Sequence, residues 1–269
     1  MVRLVLIVND GVTLHDESRA AGVAAPSVDD SLGTKLLPFV LSIIAGTVDV
    51  IGFLGLGGLF TAHITGNLVV LAARLVAHDQ APLAYLIAVP VFMVVLALTR
   101  LLVAGLERIR IGSLIPLLLL QFLLLSAFLA VGVVAGPGSD LNTASMIFAG
   151  MLGVSAMAVQ NALVRVSLKG APSTAVMTTN ITVFTMDVAE ALLRRTTSGA
   201  AVARGRAGHI WPAIAGFLFG CALGAACESA FGLRSLMLPA GLALLALALG
   251  LSATRHDAAA SHSSKRRTI

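Results

Sequence analysis

Three polar side chains interrupt one strongly apolar stretch of the chain, Ser42 to Leu75. They are Asp49, His63 and Asn67, and six glycines lie in the same stretch. A carboxylate near the centre of a bilayer costs roughly 3 kcal/mol on insertion scales, whereas a histidine exchanges its proton near neutral pH. Asp49, His63 and Asn67 are therefore predicted to bind a polar substrate or to couple its movement to a proton. A purely structural role, in which they hydrogen-bond to neighbouring helices, is the alternative.

The composition indicates a membrane protein built from helices. Of the 269 residues, 58% are hydrophobic and only 12% are charged, with a mean hydropathy of +0.97. A soluble domain carries about 25% charged residues, and a β-barrel would show short alternating segments in place of long apolar runs. The net charge of +5 does not indicate a nucleic-acid partner, because the basic residues lie in short loops and at the C-terminus. The lipid bilayer is the expected partner.

Eight apolar runs can be recognised, separated by short segments rich in glycine, proline or charge. They are Leu36–Leu56, Phe60–Ala77, Leu83–Ala104, Leu114–Ala135, Ala144–Val164, Thr174–Leu193, Ile210–Ser229 and Leu236–Ala253. If the second and sixth runs, the least hydrophobic, do not cross the bilayer, most Lys and Arg residues fall on one side, as cytoplasmic loops require. The sequence thus predicts an all-α polytopic bundle of about six full spans plus two short or re-entrant segments. Seven or eight spans remain alternatives.

The two halves of the chain resemble each other. Within the first half, 36–135, the segment HITGN aligns with VMTTN in the second half, 144–253, so that Asn67 corresponds to Asn180. Three spans plus one half-segment, when repeated, place the copies in opposite orientations, as in many transporters with inverted repeats. Chance similarity between two apolar segments is the alternative to this inverted 3+3 repeat.

The termini differ from the apolar body. Residues 1–35 are predicted to form a polar cytoplasmic tail, and residues 254–269 a basic cytoplasmic tail. Cys221 and Cys227 would lie about 240° apart on a helix, so no disulfide is expected between them. The spacing of histidines, cysteines and carboxylates predicts neither a metal site nor a cofactor.

The motif around Asp49 resembles the signature of the YoaK family, bacterial membrane proteins grouped as a domain of unknown function. The family pattern is close to G-x-x-D-x-x-x-F…F-x-x-H-x-T-G-N, carried here by Gly46, Asp49, Phe53, Phe60, His63, Thr65, Gly66 and Asn67. AMAVQNALVR and TTNIT are similar to the second family signature but lack its glycine. The resemblance covers about Leu36 to Ala253. It implies an inner-membrane protein of about six helices and no particular activity.

The second half contributes further candidate residues. Gln160, Asn161 and Asn180 are predicted to join the polar site of the first half at the bilayer midplane. Asp187 and Glu190 are instead predicted to form an ion-pair cluster at headgroup level with the neighbouring Arg194 and Arg195.

Glycines at helical spacing predict close packing. The seventh run contains a G-x-x-x-G-x-x-x-G pattern formed by Gly216, Gly220 and Gly224. Such a bare face lets two backbones approach each other, and Gly46 and Gly66 are assigned the same role. The partner could be another helix of the same chain or a second copy in a homodimer.

Three functions are compatible with these patterns. The favoured one is a small secondary transporter or permease for an unidentified small molecule or ion. The alternatives are a non-transporting scaffold or subunit and an intramembrane enzyme. The enzyme would require His63 within about 3–4 Å of an acid. We identify no catalytic residues, because no hydrolase, metalloprotease or nucleotide-binding motif is present.

Overall fold

The structure is a computed structural model that describes residues 32–78, 83–135, 143–193 and 198–267, with side chains described between Leu36 and Arg255. Eight α-helices carry these residues, and a 3₁₀ turn at Gly232–Leu236 separates the last two. The helices are α1 Leu32–Gly55, α2 Ile64–Val76, α3 Leu83–Arg108, α4 Leu114–Ala135, α5 Ala144–Ser167, α6 Met177–Leu193, α7 Ser198–Phe231 and α8 Met237–Arg267. No strand occurs within the described ranges, and the all-α prediction is confirmed.

Five segments of the described chain are long and apolar enough to cross a membrane. They are Leu36–Gly55, Leu83–Arg108, Leu114–Ala135, Ala144–Ser167 and Gly199–Arg255. The last has 57 residues and contains both α7 and α8. The helix α2 is apolar but has only 13 residues, about 20 Å at 1.5 Å per residue, which is too short to span a hydrocarbon core of about 30 Å.

Two helices extend furthest beyond their predicted apolar runs. The predicted start of the seventh run was Ile210, yet α7 begins at Ser198, because the alanines and arginines of this segment are strong helix formers despite their low hydropathy. For the same reason α8 continues to Arg267, beyond the predicted apolar end at Ala253. The described residues do not include most of the predicted N-terminal tail, the segment 136–142, Arg194 or Arg195.

The helices α1 and α5 form the buried centre of the bundle, and α3 is largely exposed at its surface. Around this centre, α1 packs against α7 and α8, whereas α5 packs against α3 and α4. The short helices lie outside, α2 on α3 and α6 on α7. Polar residues of α1 and α5 are consequently the ones that the fold places deepest.

The glycine stripe of α7 lies directly on the backbone of α1. A methyl group at any of its three positions would come within 3.0 Å of an α1 atom. Both partners advance by four residues in the same direction, so the two helices run parallel. The facing pairs are Gly216 with Phe39, Gly220 with Ile43 and Gly224 with Thr47. The stripe therefore packs within one chain, and Gly46 of α1 likewise lies against the backbone of α7.

Candidate functional site

Asp49 of α1 binds the irregular segment that connects α1 to α2. Its side chain is buried, and Oδ1 accepts hydrogen bonds from the backbone N–H groups of Thr61 (2.8 Å), Ala62 (2.7 Å) and His63 (3.3 Å). These N–H groups lie between two helices and have no helical acceptor, which would be costly in an apolar surrounding. Asp49 therefore supplies the acceptors that let the chain cross the bundle without regular structure.

His63 is bound to the other oxygen of the same carboxylate. Its Nδ1 lies 2.6 Å from Oδ2 of Asp49, which favours the tautomer that carries its proton on Nδ1. Nε2 has no hydrogen-bond partner among the described residues. The His63 side chain is 39% exposed and that of Asp49 only 6%. A buried carboxyl group is therefore hydrogen-bonded to an accessible imidazole ring.

A glycine corner brings the two residues together. Gly57 and Gly58 have positive φ angles of 65° and 99°, which are strained for other residues. A Cβ at Gly58 would lie 2.8 Å from the hydroxyl of Tyr85. The carbonyl of Gly57 accepts hydrogen bonds from Tyr85 and Arg74, which attach the corner to α3 and α2.

Asn67 completes the local structure and does not line the cleft. Its amide forms two hydrogen bonds of 2.8 Å with the backbone of Phe60, one through Nδ2 and one through Oδ1. Asn67 is fully buried, and Gly66 beside it leaves room for the ring of Phe60, which a Cβ would approach to 2.9 Å. Asn67 thus fixes the first turn of α2.

An open cleft of about 490 Å³ adjoins the Asp49–His63 pair. Its walls come from α1, α2 and α7, with Phe217 in edge contact with the His63 ring at a centroid distance of 5.6 Å. Cys221 also lines the cleft, but no hydrogen bond joins its thiol to His63 in the described structure. We call this space the α1 cleft.

Gln160 is a buried residue of α5 that hydrogen-bonds to three other parts of the bundle. Its Nε2 donates to the Leu41 carbonyl of α1 (2.9 Å) and to the Thr174 hydroxyl (2.8 Å), and its Oε1 accepts from Gln121 of α4 (2.7 Å). The side chain is fully buried. Gln160 therefore connects α5, α4, α1 and the segment before α6, and it lines no described cleft.

The two asparagines of the second half lie in different surroundings. Asn180 donates to the Ser173 carbonyl, seven residues earlier, at 2.6 Å, as Asn67 does to Phe60. Asn161 donates to the Met157 carbonyl of its own helix at 2.8 Å. Asn161 also lines a second cleft of about 660 Å³ between α5 and α6, which we call the α5 cleft.

The two clefts share no lining residue, and the connections that follow α1 and α5 lie at opposite ends of the bundle. Tyr85 at the start of α3 contacts the corner after α1, whereas Ser113, just beyond the end of α3, hydrogen-bonds Ser167 at the end of α5. The 26 residues of α3 separate these ends by about 39 Å. The structure thus brings Asp49 and His63 together but does not collect all the predicted polar residues around one cleft.

Asp187 pairs with a residue that the sequence analysis did not select. Its buried carboxylate binds the guanidinium of Arg206 on α7, at 3.0 Å from Nε, and Glu190 lies 3.8 Å from the same group. The hydrogen bonds from Arg206 hold the pKa of the Asp187 carboxyl below its usual value. The predicted partners, Arg194 and Arg195, are outside the described residues.

No group of three His, Cys, Asp or Glu side chains close enough to hold a metal ion occurs in the part of the chain that the structure describes. Sequence reasoning also missed the two buried threonines that the site residues bind, Thr61 and Thr174. Each lies six residues before its aligned asparagine, so the alignment of the halves contained the signal. Nothing in the sequence indicated that Phe217 and Cys221 of α7 would line the α1 cleft.

Comparison with known proteins places the chain in a family without a known activity. No curated protein and no solved structure matches it, and the YoaK name suggested by the motif has no support from these comparisons. A family model described as "Protein of unknown function (DUF1275)" matches residues 37–249. The chain therefore belongs to the DUF1275 family of proteins of unknown function.

Proposed function

We propose that this protein is a small proton-coupled secondary transporter of the bacterial inner membrane and that Asp49 and His63 carry the proton. The observation that supports this most directly is the 2.6 Å hydrogen bond between a buried carboxylate and a half-exposed imidazole. The pair adjoins an open cleft in an apolar helical bundle. An intramembrane ionisable pair of this kind is commonly part of a proton or substrate path.

The geometry suggests how the pair handles a proton. With Nδ1 held by Asp49, a proton from the α1 cleft would bind at Nε2 and convert His63 into an imidazolium beside the carboxylate. The net charge of the pair then changes from −1 to zero. Because electrostatic interactions are strong in a low-dielectric surrounding, this change would alter the affinity of the cleft for a polar or charged substrate.

The helix directions support six crossings. The helices α1 and α7 run parallel, whereas α4 and α8 run antiparallel, because Gly132 faces Leu233 and Leu236 while Gly250 faces Leu114 and Leu118. The parallel and the antiparallel pair are both explained if six helices cross the membrane and α2 and α6 are half-segments. The six crossing helices are α1, α3, α4, α5, α7 and α8. Both termini then lie on one side, which the basic loops identify as the cytoplasm.

The helix contacts also support an inverted repeat that relates α1–α4 to α5–α8. The packing of α1 on α7 and α8 is matched by that of α5 on α3 and α4, and the packing of α2 on α3 by that of α6 on α7. Asn67 and Asn180 bind carbonyls at the same distance along the chain. Two separate clefts, one in each half of such a repeat, are suited to alternating access.

A non-transporting scaffold is the second candidate, favoured by one specific observation. Oδ1 of Asp49 accepts three backbone hydrogen bonds, which would be sufficient for a structural role. The enzyme alternative meets its distance condition at Asp49 and His63. It lacks an activated nucleophile, however, because nothing in the described structure hydrogen-bonds the Cys221 thiol.

The proposal is tested by proton flux in liposomes that contain the purified full-length protein and a trapped pH-sensitive dye. A panel of amino acids, sugars, organic acids and amines is added outside, and substrate-driven pH changes are recorded. His63→Gln retains a donor for Asp49 but cannot titrate, so it should abolish proton flux. The control His78→Asn changes an exposed histidine with a φ of 55°, a conformation that asparagine tolerates.

Wild-type transport in the double variant Asp49→Asn, His63→Ala would overturn the assignment of the site. Loss of substrate flux in His78→Asn would show that the assay reports general damage. A folded wild-type protein without flux for any member of the panel would favour the scaffold.

A further inference from the structure

We propose that the α5 cleft binds an anion of the phosphate class and that Arg165 and Lys169 are its charged ligands. The binding does not depend on whether the protein transports anything. It would therefore stand or fall separately from the proton site at Asp49 and His63.

The charge of the α5 cleft is unbalanced. Arg165 and Lys169 both line it and are exposed, and neither has a hydrogen-bond or ion-pair partner among the described residues. No aspartate or glutamate is among the residues that line the cleft. Elsewhere in the described structure, Arg100 and Arg206 do lie within 4 Å of carboxylates. Two adjacent cations without a counter-charge attract an anion into this space.

Neutral donors accompany the two cations. The walls include the hydroxyl groups of Ser173 and Thr179 and the carboxamide of Asn161. The Ser173 oxygen accepts a hydrogen bond from the Val176 backbone, which leaves its proton free to donate. Guanidinium forks and hydroxyl groups together match the several oxygens of a phosphate group. A volume of about 660 Å³ is sufficient for a phosphate with an attached organic group.

The turn that carries Lys169 is held in place. Gly170 has a φ of 90°, and its carbonyl lies 2.9 Å from Nε2 of His209 on α7. Arg165 belongs to the last turn of α5, four residues before Lys169. The two cations thus line one cleft from a fixed segment, and an anion in that cleft would offset their like charges.

The corresponding cleft of the first half has the opposite chemistry. The α1 cleft contains the carboxylate of Asp49, which repels anions, whereas the α5 cleft has Asn161 and two cations. Phosphate of this kind could come from a soluble compound or from an anionic lipid headgroup. The chemistry recognised is the same, and the two sources can be separated by experiment.

The test measures binding of two probes to the full-length chain. In the first arm, inorganic phosphate is titrated calorimetrically into protein in nanodiscs of phosphatidylcholine. In the second arm, native mass spectrometry follows the retention of phosphatidylglycerol. We expect saturable binding in at least one arm, and binding about tenfold weaker in Arg165→Gln and in Lys169→Gln, since each change removes a charged ligand.

Arg108→Gln is the matched control, because Arg108 is exposed at the same end of the bundle but does not line the cleft. It should change the affinity by less than twofold. Binding only of phosphate identifies a soluble ligand, binding only of the lipid identifies a headgroup, and either supports the site. Absence of saturable binding in both arms, or an equal loss in Arg108→Gln, would overturn the proposal. The altered side chains are exposed, so a circular-dichroism melt should match that of the wild type.

Discussion

Replacement of Gly220 by alanine should destabilise the protein, whereas the same change at Gly208 on the same helix should stabilise it. Gly220 is buried, and a Cβ there would lie 3.0 Å from both Cα and the carbonyl carbon of Ile43 on α1 and would also overlap the carbonyl oxygen. These are backbone atoms, which cannot rotate away as a side chain can. Gly208 is exposed and has no atom of another residue within 4 Å of such a Cβ.

The comparison isolates the cost of the overlap. Alanine gains about 1 kcal/mol over glycine in a helix interior, and this gain applies to both positions of α7. Overpacking of a close contact costs about 1–3 kcal/mol. The variants should therefore differ in free energy of unfolding by about 1–3 kcal/mol. At about 2–4 °C per kcal/mol for a chain of this size, the melting temperatures should differ by about 2–12 °C.

The measurement is helical circular dichroism during heating, with each variant purified in the same detergent. Gly224→Ala provides a second point, since its Cβ would meet Thr47 at 3.0–3.1 Å with less overlap, and its loss should be smaller. If Gly220→Ala melts together with Gly208→Ala, α7 does not pack on α1 as described, and the intramolecular assignment of the glycine stripe is wrong.

Three further predictions concern the site and its surroundings. Asp49→Ala should lower the melting temperature much more than Asp49→Asn, because alanine leaves three N–H groups without their acceptor at about 1–3 kcal/mol each; equal melting curves would contradict the role of Asp49 as a clamp. Asp187→Asn should lower the melting temperature at pH 7, and this difference should shrink as the pH falls below the pKa of the unfolded carboxyl group. A lowered pKa in the folded state means that the ion pair stabilises above the unfolded carboxyl pKa of about 3.9 and that this stabilisation is lost as the pH falls through the folded pKa; a difference of the same size at pH 3 and at pH 7 would refute this. A water-soluble thiol reagent should modify Cys221 in Cys227→Ser protein more slowly once a transported substrate is bound, because Cys221 lines the α1 cleft; the reverse variant, Cys221→Ser, is the control and should show no protection.

Local features of the sequence were sufficient to predict the helices and the glycine face of α7, but not the helix on which that face packs. Long apolar runs specify membrane helices through length and hydropathy alone, and the spacing of Gly216, Gly220 and Gly224 defines one face of a helix. The proximity of Asp49 and His63 followed from the glycines between them, since a chain can reverse there at little cost.

Relations between distant elements could not be predicted in the same way. Gln160 and Asn161 are adjacent, and neighbouring residues of a helix point about 100° apart, so one faces the bundle centre and the other the α5 cleft. Which of them does so depends on how α5 packs against α1 and α4. Likewise, the pairing of Asp187 with Arg206 requires the packing of α6 on α7, which no local pattern specifies.

The two halves together argue that the charge at Asp49 has a use beyond structure. In each half, a buried side chain of the central helix hydrogen-bonds to the irregular segment that follows. Asp49 binds Thr61 in the first half, and Gln160 binds Thr174 in the second. Under the proposed repeat, the second half forms its contact with a neutral amide, which donates to the Thr174 hydroxyl. The amide oxygen of an asparagine could likewise accept the three N–H groups that Asp49 binds, whereas a carboxylate costs more to bury. The first half keeps the carboxylate and places His63 beside it, where the aligned residue of the second half is Val176. A group that only fastened the chain would not need an ionisable partner with an accessible nitrogen. Asp49→Asn should consequently retain the fold and lose the proton chemistry, which is the combination that separates a transport site from a structural one.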